Sequence, residues 1–277
     1  MDAGSDPFQI AGRKISVALG RTSRLVSALR PFYETALTHL HGGRGIPWMI
    51  NGVPFRIDPR QRHLMGQEWD TEVAEFLSKR VQPGDLCLDV GANAGVYVLQ
   101  FCHWTAPASR VIAFEPNENA RRVLQIHIRM NGFEEQVEII PDAITDSEGE
   151  ATFYFAGVSG MSRLGEANDL LKETAQHTTV TTTTLDRFCE RRKLRPDWLL
   201  LDIEGYELHA LSGARQLLTS CPTLQIVVEM HPALWPSAQT TIAQWDEFFQ
   251  ETGFRPIPLM GQHNPLYDTG SVYLERT

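Results

Sequence analysis

The chain has 277 residues, of which 42% are hydrophobic and 21% charged, the composition of a globular protein large enough to bury a full core. Its four cysteines, Cys87, Cys102, Cys189 and Cys221, have no CxxC spacing, which argues against a zinc site and against a disulfide scaffold. The net charge of −9 disfavours a nucleic-acid-binding surface, and the lack of a secretory signal pattern or of an apolar run of roughly 18 residues predicts a cytoplasmic location without a transmembrane segment.

The first part of the chain is basic and is expected to form an extension. Apolar residues at spacings of three and four predict an amphipathic helix within 8–41 that breaks or restarts at Pro31. We favour packing of this helix on the main domain, with peripheral membrane contact or a homodimer interface as alternatives. The Asn51-Gly52 pair between two apolar runs predicts a β-hairpin, so the extension covers 1–65.

After residue 66, short apolar runs alternate with helix-like segments. The predicted strands are 86–90, 110–114, 137–140, 198–201 and 224–228, and the predicted helices are 68–80, 94–104, 117–130, 207–218 and 239–251. This alternation predicts an α/β fold, with a mainly parallel sheet and helices on both of its faces.

Two further regions do not follow that alternation. The strand-like segments 254–260 and 271–274 have no helix between them and should pair as an antiparallel terminal hairpin. The β-prone segments 152–155 and 178–184 form an insertion, and the loop 157–177 between them has the length of a lid.

The end of the first strand of this domain carries the most informative motif, an acidic residue followed by a Gly-x-x-x-Gly turn and a helix start. Glycines in such a turn let the backbone approach a ligand closely. The spacing is not the GxGxxG of dinucleotide-binding proteins. An acid there would repel a pyrophosphate but suits a ligand that carries an ammonium and a sulfonium. The candidate cofactor residues of this motif are Asp89, Gly91, Ala92, Asn93 and Gly95.

The next two strand ends also carry acidic residues. Glu115, followed by Pro116 and Asn117, can accept hydrogen bonds from both hydroxyls of a ribose, which indicates a nucleoside without identifying it. Asp142, followed by Ala143, can hold an adenine amino group or cap a turn.

Together these motifs resemble class I S-adenosylmethionine-dependent methyltransferases, and most closely the FkbM-type family. The resemblance rests on the segments 89–95, 114–116, 201–207, 211–214 and 229–232. It implies a Rossmann-like seven-stranded sheet with an antiparallel last strand, and a methyltransferase domain over 66–277. It also implies methyl transfer to a hydroxyl of a sugar, glycolipid or natural-product acceptor. The family often has Lys where this chain has Leu200, so the role of that Lys is in doubt here.

The resemblance directs attention to the ends of the fourth and fifth strands, where Asp202, Glu204, Glu229 and His231 are the candidate catalytic residues. A hydroxyl nucleophile benefits from a general base or a metal ion. His231 is favoured as the base because imidazole titrates near neutral pH, with Asp202 or Glu229 orienting it. The alternatives are a divalent metal bound by Asp202, Glu229 and His231, or a role of these residues in holding the loop or binding substrate.

Other assignments are less specific. Asp202 is also a candidate cofactor contact, and Glu72 can meet the ammonium of the cofactor or lie on a solvated helix face. The acids Glu204 and Glu207 suit a helix start, where the helix dipole favours negative charge. An NAD(P)-dependent oxidoreductase and a non-catalytic binding module remain as alternative functions; the missing GxGxxG argues against the first, and the intact motifs argue against the second.

Overall fold

A computed structural model describes residues 24–167 and 172–277 of the chain. In chain order, the helices α1 to α8 are Arg24–Leu40, Thr71–Ser78, Val96–Trp104, Glu118–Asn131, Leu185–Arg192, Glu207–Ser212, Arg215–Ser220 and Ile242–Thr252. The strands β1 to β13 are Ile46–Ile50, Val53–Ile57, Leu86–Val90, Arg110–Phe114, Val137–Ile140, Ala143–Ile144, Gly149–Phe155, Arg163–Leu164, Gln176–Thr183, Trp198–Leu201, Gln225–Met230, Phe254–Pro258 and Gly270–Arg276. Two short 3₁₀ helices cover Pro59–Leu64 and Trp235–Ala238.

The main sheet has seven strands in the order β12-β13-β11-β10-β3-β4-β5. The strands from β11 to β5 pair in parallel, whereas β13 is antiparallel to both β11 and β12. This confirms the predicted α/β fold with an antiparallel last strand. The chain runs from β3 outward to β4 and β5, and later returns to place β10 and β11 on the other side of β3. Ligands of such sheets bind beyond the strand ends where the order reverses, which is here between β3 and β10.

The central strand β3 is buried on both faces, as a continuous apolar run predicts. Leu88 belongs to the larger apolar core together with Leu199 and Trp245. The neighbouring residue Cys87 points to the other face and packs in a second core with Phe101 of α3. The period of two along the strand thus divides its side chains between two helical layers.

The predicted β-hairpin forms from β1 and β2. Its turn residues Asn51 and Gly52 have φ values of 48° and 81°, as a type I′ turn requires. The Asn51 side chain also accepts a hydrogen bond from the backbone N–H of Trp69 at 2.9 Å, which ties the turn to the segment before α2. Ile50 packs in a core that includes Leu99 of α3, so the hairpin lies on the main sheet's helical layer.

The N-terminal helix differs from its prediction. Residues 24–40 form α1, while the predicted part over 8–23 lies outside the described residues. Pro31 lies inside α1 and does not end it, so the predicted interruption there was wrong. Leu37 of α1 is fully buried against the hairpin core, whereas Phe32 is 76% exposed. No described helix is both long enough and apolar enough to cross a bilayer.

Two further segments also differ in detail. The predicted helix over 207–218 is divided into α6 and α7, and the Asp186 carboxylate accepts hydrogen bonds from the N–H groups of Gln216 and Leu217 in the first turn of α7. Glycine is required at position 213 between them, because a Cβ there would lie 2.3 Å from the backbone oxygen of Thr145. The predicted insertion forms a second sheet of four strands in the order β6-β9-β7-β8. Strand β8 of this sheet lies within 157–177, the segment predicted to be a loop. Residues 168–171 of that segment lie outside the described residues.

Candidate active site

The carboxyl ends of β3, β4 and β10 open onto one cavity. Strand pairing aligns these ends, because the N–H of Gly91 bonds to Phe114 O and the N–H of Asp202 bonds to Val90 O. The predicted cofactor residues that line the cavity are Asp89, Gly91, Ala92, Asn93, Glu115, Pro116, Asp142, Ala143 and Asp202. The aromatic residues Trp69, Tyr97, Phe114, Phe153 and Tyr206 form part of the same wall. The sequence motifs therefore converge on a single cavity at the place that the strand order indicates.

Glycine is required at the turn after β3. Gly91 has a φ of 94°, and a Cβ on it would lie 1.8 Å from the backbone oxygen of Asp202. Gly95 has a φ of 95° and packs against Leu124 of α4, so it positions α3 and does not line the cavity. Gly91 therefore allows the ends of β3 and β10 to lie close together, and Gly95 allows the start of α3 to pack against α4.

Glu115 links the glycine turn to the end of β4. Its buried carboxylate accepts hydrogen bonds from the backbone N–H groups of Asn93 at 2.7 Å and Asn117 at 2.8 Å. Burial raises the pKa of Glu115 to about 7, although these hydrogen bonds and the charge of Arg121 favour the ionised form. The carboxylate thereby fixes the shape of the cavity floor and also lies in its lining.

Asp89 lines the cavity with a carboxyl group that is not fully hydrogen-bonded. It is 1% exposed, and its Oδ2 has no hydrogen-bond partner within residues 24–167 and 172–277. Burial and the charge of Glu115 raise the pKa of Asp89 to about 7. An unpaired buried carboxylate oxygen costs free energy, which a positively charged ligand in the cavity would offset.

A cluster of ionisable side chains lies next to the cavity, at the ends of β10 and β11. His231 Nε2 lies 3.7 Å from Glu229 Oε1 and 4.0 Å from Asp202 Oδ1. Glu204 is close enough that the charges of His231 and Glu229 shift its pKa, which is raised mainly by burial. The structure thus brings the four predicted catalytic residues together, and Asp202 joins their cluster to the cavity.

Glu207 orients His231. The sequence predicts Glu207 only as an acidic residue at the start of a helix. The fully buried Glu207 carboxylate pairs with His231 Nδ1 at 2.8 Å. It also accepts hydrogen bonds from Trp235 Nε1 at 3.2 Å and from the N–H of Gly205 at 2.7 Å. The predicted orientation of His231 by Asp202 or Glu229 was therefore wrong, because both lie on the Nε2 side of the ring. Sequence alone does not distinguish a helix-start glutamate that turns inward from one that faces solvent.

These contacts determine the protonation of the cluster. Burial alone would lower the pKa of His231, but the hydrogen bond and charge of Glu207 and the charge of Asp202 raise it to about 10. Burial and the charges of neighbouring acids raise the pKa of Asp202 to about 7. Burial and the charge of Asp202 raise the pKa of Glu229 to about 8. Near neutral pH, His231 is therefore an imidazolium, and Asp202 is more readily ionised than Glu229.

Besides Gly95, two predicted cofactor residues do not line the cavity and have other contacts. Asn117 accepts a hydrogen bond from Asn119 N at the start of α4, and its amide donates to Gly157 O at 2.9 Å, which tethers the loop after β7. Glu72 is exposed on α2 and accepts a hydrogen bond from the Thr71 hydroxyl, as the alternative of a solvated helix face predicts. Leu200, where the family often has Lys, is buried and lines the cavity with an apolar side chain.

Comparison with known proteins gives one family. The family model described as the methyltransferase FkbM domain matches residues 89–256, more than half of the chain. The matched segment begins in β3 and ends in β12, so it contains the cavity and the whole ionisable cluster.

Two curated relatives match parts of the chain. The hexuronic acid methyltransferase AglP of Haloferax volcanii is 27% identical over 188 residues, which are 66% of this chain and 70% of AglP. The AMB antimetabolite synthetase AmbE of Pseudomonas aeruginosa is 39% identical over 88 residues, which are 31% of this chain. The match covers 4% of AmbE, so the chain corresponds to only a small part of that protein.

Solved structures with a similar arrangement include two methyltransferases. The methyltransferase FkbM from Methylobacillus flagellatus KT has a TM-score of 0.47 and 16% identity, over 74% of this chain and 51% of that chain. The O-methyltransferase from Bacillus cereus, in complex with SAH, has a TM-score of 0.48 and 12% identity, over 96% of each chain.

Proposed function

Since the chain belongs to the FkbM methyltransferase family, we propose that it is an S-adenosylmethionine-dependent O-methyltransferase that acts on a hydroxyl of a sugar, glycolipid or natural product. One observation carries the proposal. The cavity that contains the unpaired Asp89 carboxyl is continuous, through Asp202, with the cluster that can accept a proton from a hydroxyl.

The residues of the cavity fit this cofactor. Asp89 is placed to pair with the positive charges of the methionine end, and its partnerless oxygen is consistent with that role. Glu115 retains lone pairs for the ribose hydroxyls, and Asp142 is the candidate partner of the adenine amino group. When bound, S-adenosylmethionine supplies a methyl group on a positively charged sulfur, which leaves as a neutral thioether.

Because the pKa of His231 is raised, His231 cannot be the general base that the sequence predicts. An imidazolium with Nδ1 held by Glu207 can donate from Nε2 but cannot accept a proton. We therefore assign proton acceptance to Asp202, whose pKa of about 7 is close to the pH at which a general base is most effective. His231 positions and electrostatically stabilises the Asp202 carboxylate, which would take the proton of the acceptor hydroxyl that receives the methyl group.

A metal-assisted reaction is the second candidate. One ligand atom from each of Asp202, Glu229 and His231 lies within 4.8 Å of the others, and this donor set suits a divalent cation. Such a cation would acidify the substrate hydroxyl and would require His231 to lose its proton. The Glu207 carboxylate on Nδ1 would orient either an imidazolium or a metal-bound imidazole, so the effect of metal removal decides between the two reactions.

The acceptor class is supported by one relative. AglP is named a hexuronic acid methyltransferase, and it aligns with two thirds of this chain at 27% identity. We therefore place sugar-containing acceptors first among the candidates.

The function is tested by incubating the full chain with S-adenosylmethionine and a panel of sugars, glycolipids and phenols, with and without EDTA. We expect formation of S-adenosylhomocysteine together with a methyl ether of a sugar, at a rate that EDTA leaves unchanged. Loss of activity with EDTA and its recovery with Mg²⁺ would establish the metal-assisted alternative. Methyl transfer to an amine or to no compound of the panel would contradict the proposed hydroxyl acceptors.

We expect Glu207→Gln to lower the pH at which activity is lost on the alkaline side. In the wild-type protein the pKa of His231 is about 10, so the rate falls as pH rises through that value and the imidazolium disappears. Without the negative charge of Glu207, the imidazolium loses its proton at lower pH, and the alkaline limb of kcat/KM moves down by about one unit or more.

The control for this profile is Glu251→Gln, which removes an exposed carboxylate that pairs with Arg215. Its profile should match that of the wild type. An unchanged alkaline limb in Glu207→Gln would show that Glu207 does not determine the charge of His231.

A further inference from the structure

Arg163 is a buried guanidinium that the cofactor and the proton transfer described above do not use. It lies on β8, is 3% exposed and lines the cavity. Its Nη2 donates to Leu234 O at 3.3 Å, and its Cζ lies 6.0 Å from the centre of the Tyr206 ring. Its Nε is buried and has no hydrogen-bond acceptor among the described residues of the chain.

This arrangement is costly without a ligand. A guanidinium has five N–H donors, and the described contacts give Arg163 one hydrogen-bond acceptor and one aromatic face. A buried charge whose donors are incompletely paired lowers stability, so such groups are usually completed by a carboxylate, a phosphate or another acceptor. Since Arg163 also lines the cavity, its incompletely paired guanidinium indicates an anionic group bound there.

The position of Arg163 assigns that anion to the acceptor. Its two contacts, Tyr206 and Leu234, follow β10 and β11, the strands whose ends carry Asp202 and His231. The proposed cofactor contacts instead follow β3, β4 and β5. Arg163 thus lies on the side of the cavity where the methyl group is transferred.

We propose that Arg163 binds a carboxylate of the acceptor, so that the substrate is a hydroxy acid such as a sugar acid. The inference rests on the proposed function and specifies its substrate. The planar edge of a guanidinium matches the two oxygens of a carboxylate, which makes such pairs strong and directional.

The neighbouring acids do not prevent this binding. The His231 imidazolium balances the charge of Glu207, with which it pairs at 2.8 Å. Asp202 and Glu229 lie beside the other ring nitrogen, with carboxylate oxygens 4.0 and 3.7 Å from His231 Nε2. In the free protein, the positive charge of Arg163 acts on Glu204 and favours the ionised form of that carboxyl group.

The test is a calorimetric titration of the full chain, saturated with S-adenosylhomocysteine, with methyl glucuronoside and with methyl glucoside, which lacks the carboxylate. We expect the wild type to bind the glucuronoside about tenfold or more tightly than the glucoside, the effect of one charge-assisted pair. Arg163→Met should remove this preference, and Arg163→Lys, which keeps the charge but loses the planar edge, should reduce it. The control Arg255→Met changes an exposed arginine on β12 and should keep the preference.

Three results would overturn the inference. They are absence of glucuronoside binding by the wild type, equal binding of the two sugars, and an unchanged preference in Arg163→Met. A variant that only loses thermal stability and keeps the preference would assign Arg163 to holding β8 against Leu234. Binding of S-adenosylhomocysteine is measured first in each protein, so a failure of the proposed cofactor is seen separately from a failure at Arg163.

Discussion

Asp202→Asn is expected to lower kcat by about 100- to 10,000-fold, the usual contribution of a general base. Asparagine has nearly the same shape, but its amide cannot take the proton from the acceptor hydroxyl. The side chain remains beside His231 Nε2, which lies 4.0 Å from Asp202 Oδ1 in the wild type, so the geometry of the cluster is preserved. Steady-state kinetics at neutral pH, with S-adenosylhomocysteine affinity measured alongside, separates loss of chemistry from loss of cofactor binding.

The matched control is Glu229→Gln in the same cluster. Burial and the charge of Asp202 raise the pKa of Glu229 to about 8, so this carboxyl is mostly protonated near neutral pH and glutamine resembles its neutral form. Its kcat should remain within about tenfold of the wild type. A larger loss in Glu229→Gln than in Asp202→Asn would transfer the role of the base to Glu229.

Glu115→Ala is expected to weaken S-adenosylhomocysteine binding by about 100-fold. A hydrogen bond to a charged group contributes about 1.5–3 kcal/mol, and the carboxylate is proposed to hold both ribose hydroxyls. The substitution also releases the backbone N–H groups of Asn93 and Asn117, which shape the cavity floor. Isothermal titration calorimetry measures the change directly.

The control for this substitution is Glu118→Ala, three residues further on. Glu118 is exposed and pairs with Arg122 on the surface of α4, so its removal should leave the affinity unchanged. Similar affinities in Glu115→Ala and the wild type would remove Glu115 from the ribose site.

The sheet was predictable from sequence because its parallel strands are short apolar runs, and the central strands β3 and β10 are buried on both faces. The run 86–90 coincides with β3, and the segments 254–260 and 271–274 correspond to β12 and β13, which pair antiparallel. The split of the predicted helix near Gly213 was not predictable, since the Asp186 carboxylate that binds N–H groups in the first turn of α7 is distant in the sequence.

The site was predictable to the extent that strand ends determine it. Asp89 lies at the end of β3, and Glu115 and Asp202 directly follow β4 and β10, whose ends must meet at one edge of the sheet. Glu207 and Arg163 could not be assigned in the same way, because their roles depend on contacts with residues that follow other strands. Tertiary packing, and not the local pattern, decides whether such charged side chains turn inward.

Calorimetry of the wild-type chain with S-adenosylhomocysteine, with NAD as the comparison ligand, tests the central claim most directly. The pairing of Asp89 with a positively charged cofactor and of Glu115 with a ribose predicts micromolar binding of S-adenosylhomocysteine, about 8 kcal/mol, and much weaker binding of NAD, whose pyrophosphate Asp89 repels. Preference for NAD, or no binding of S-adenosylhomocysteine, would contradict the assignment of the cavity to S-adenosylmethionine.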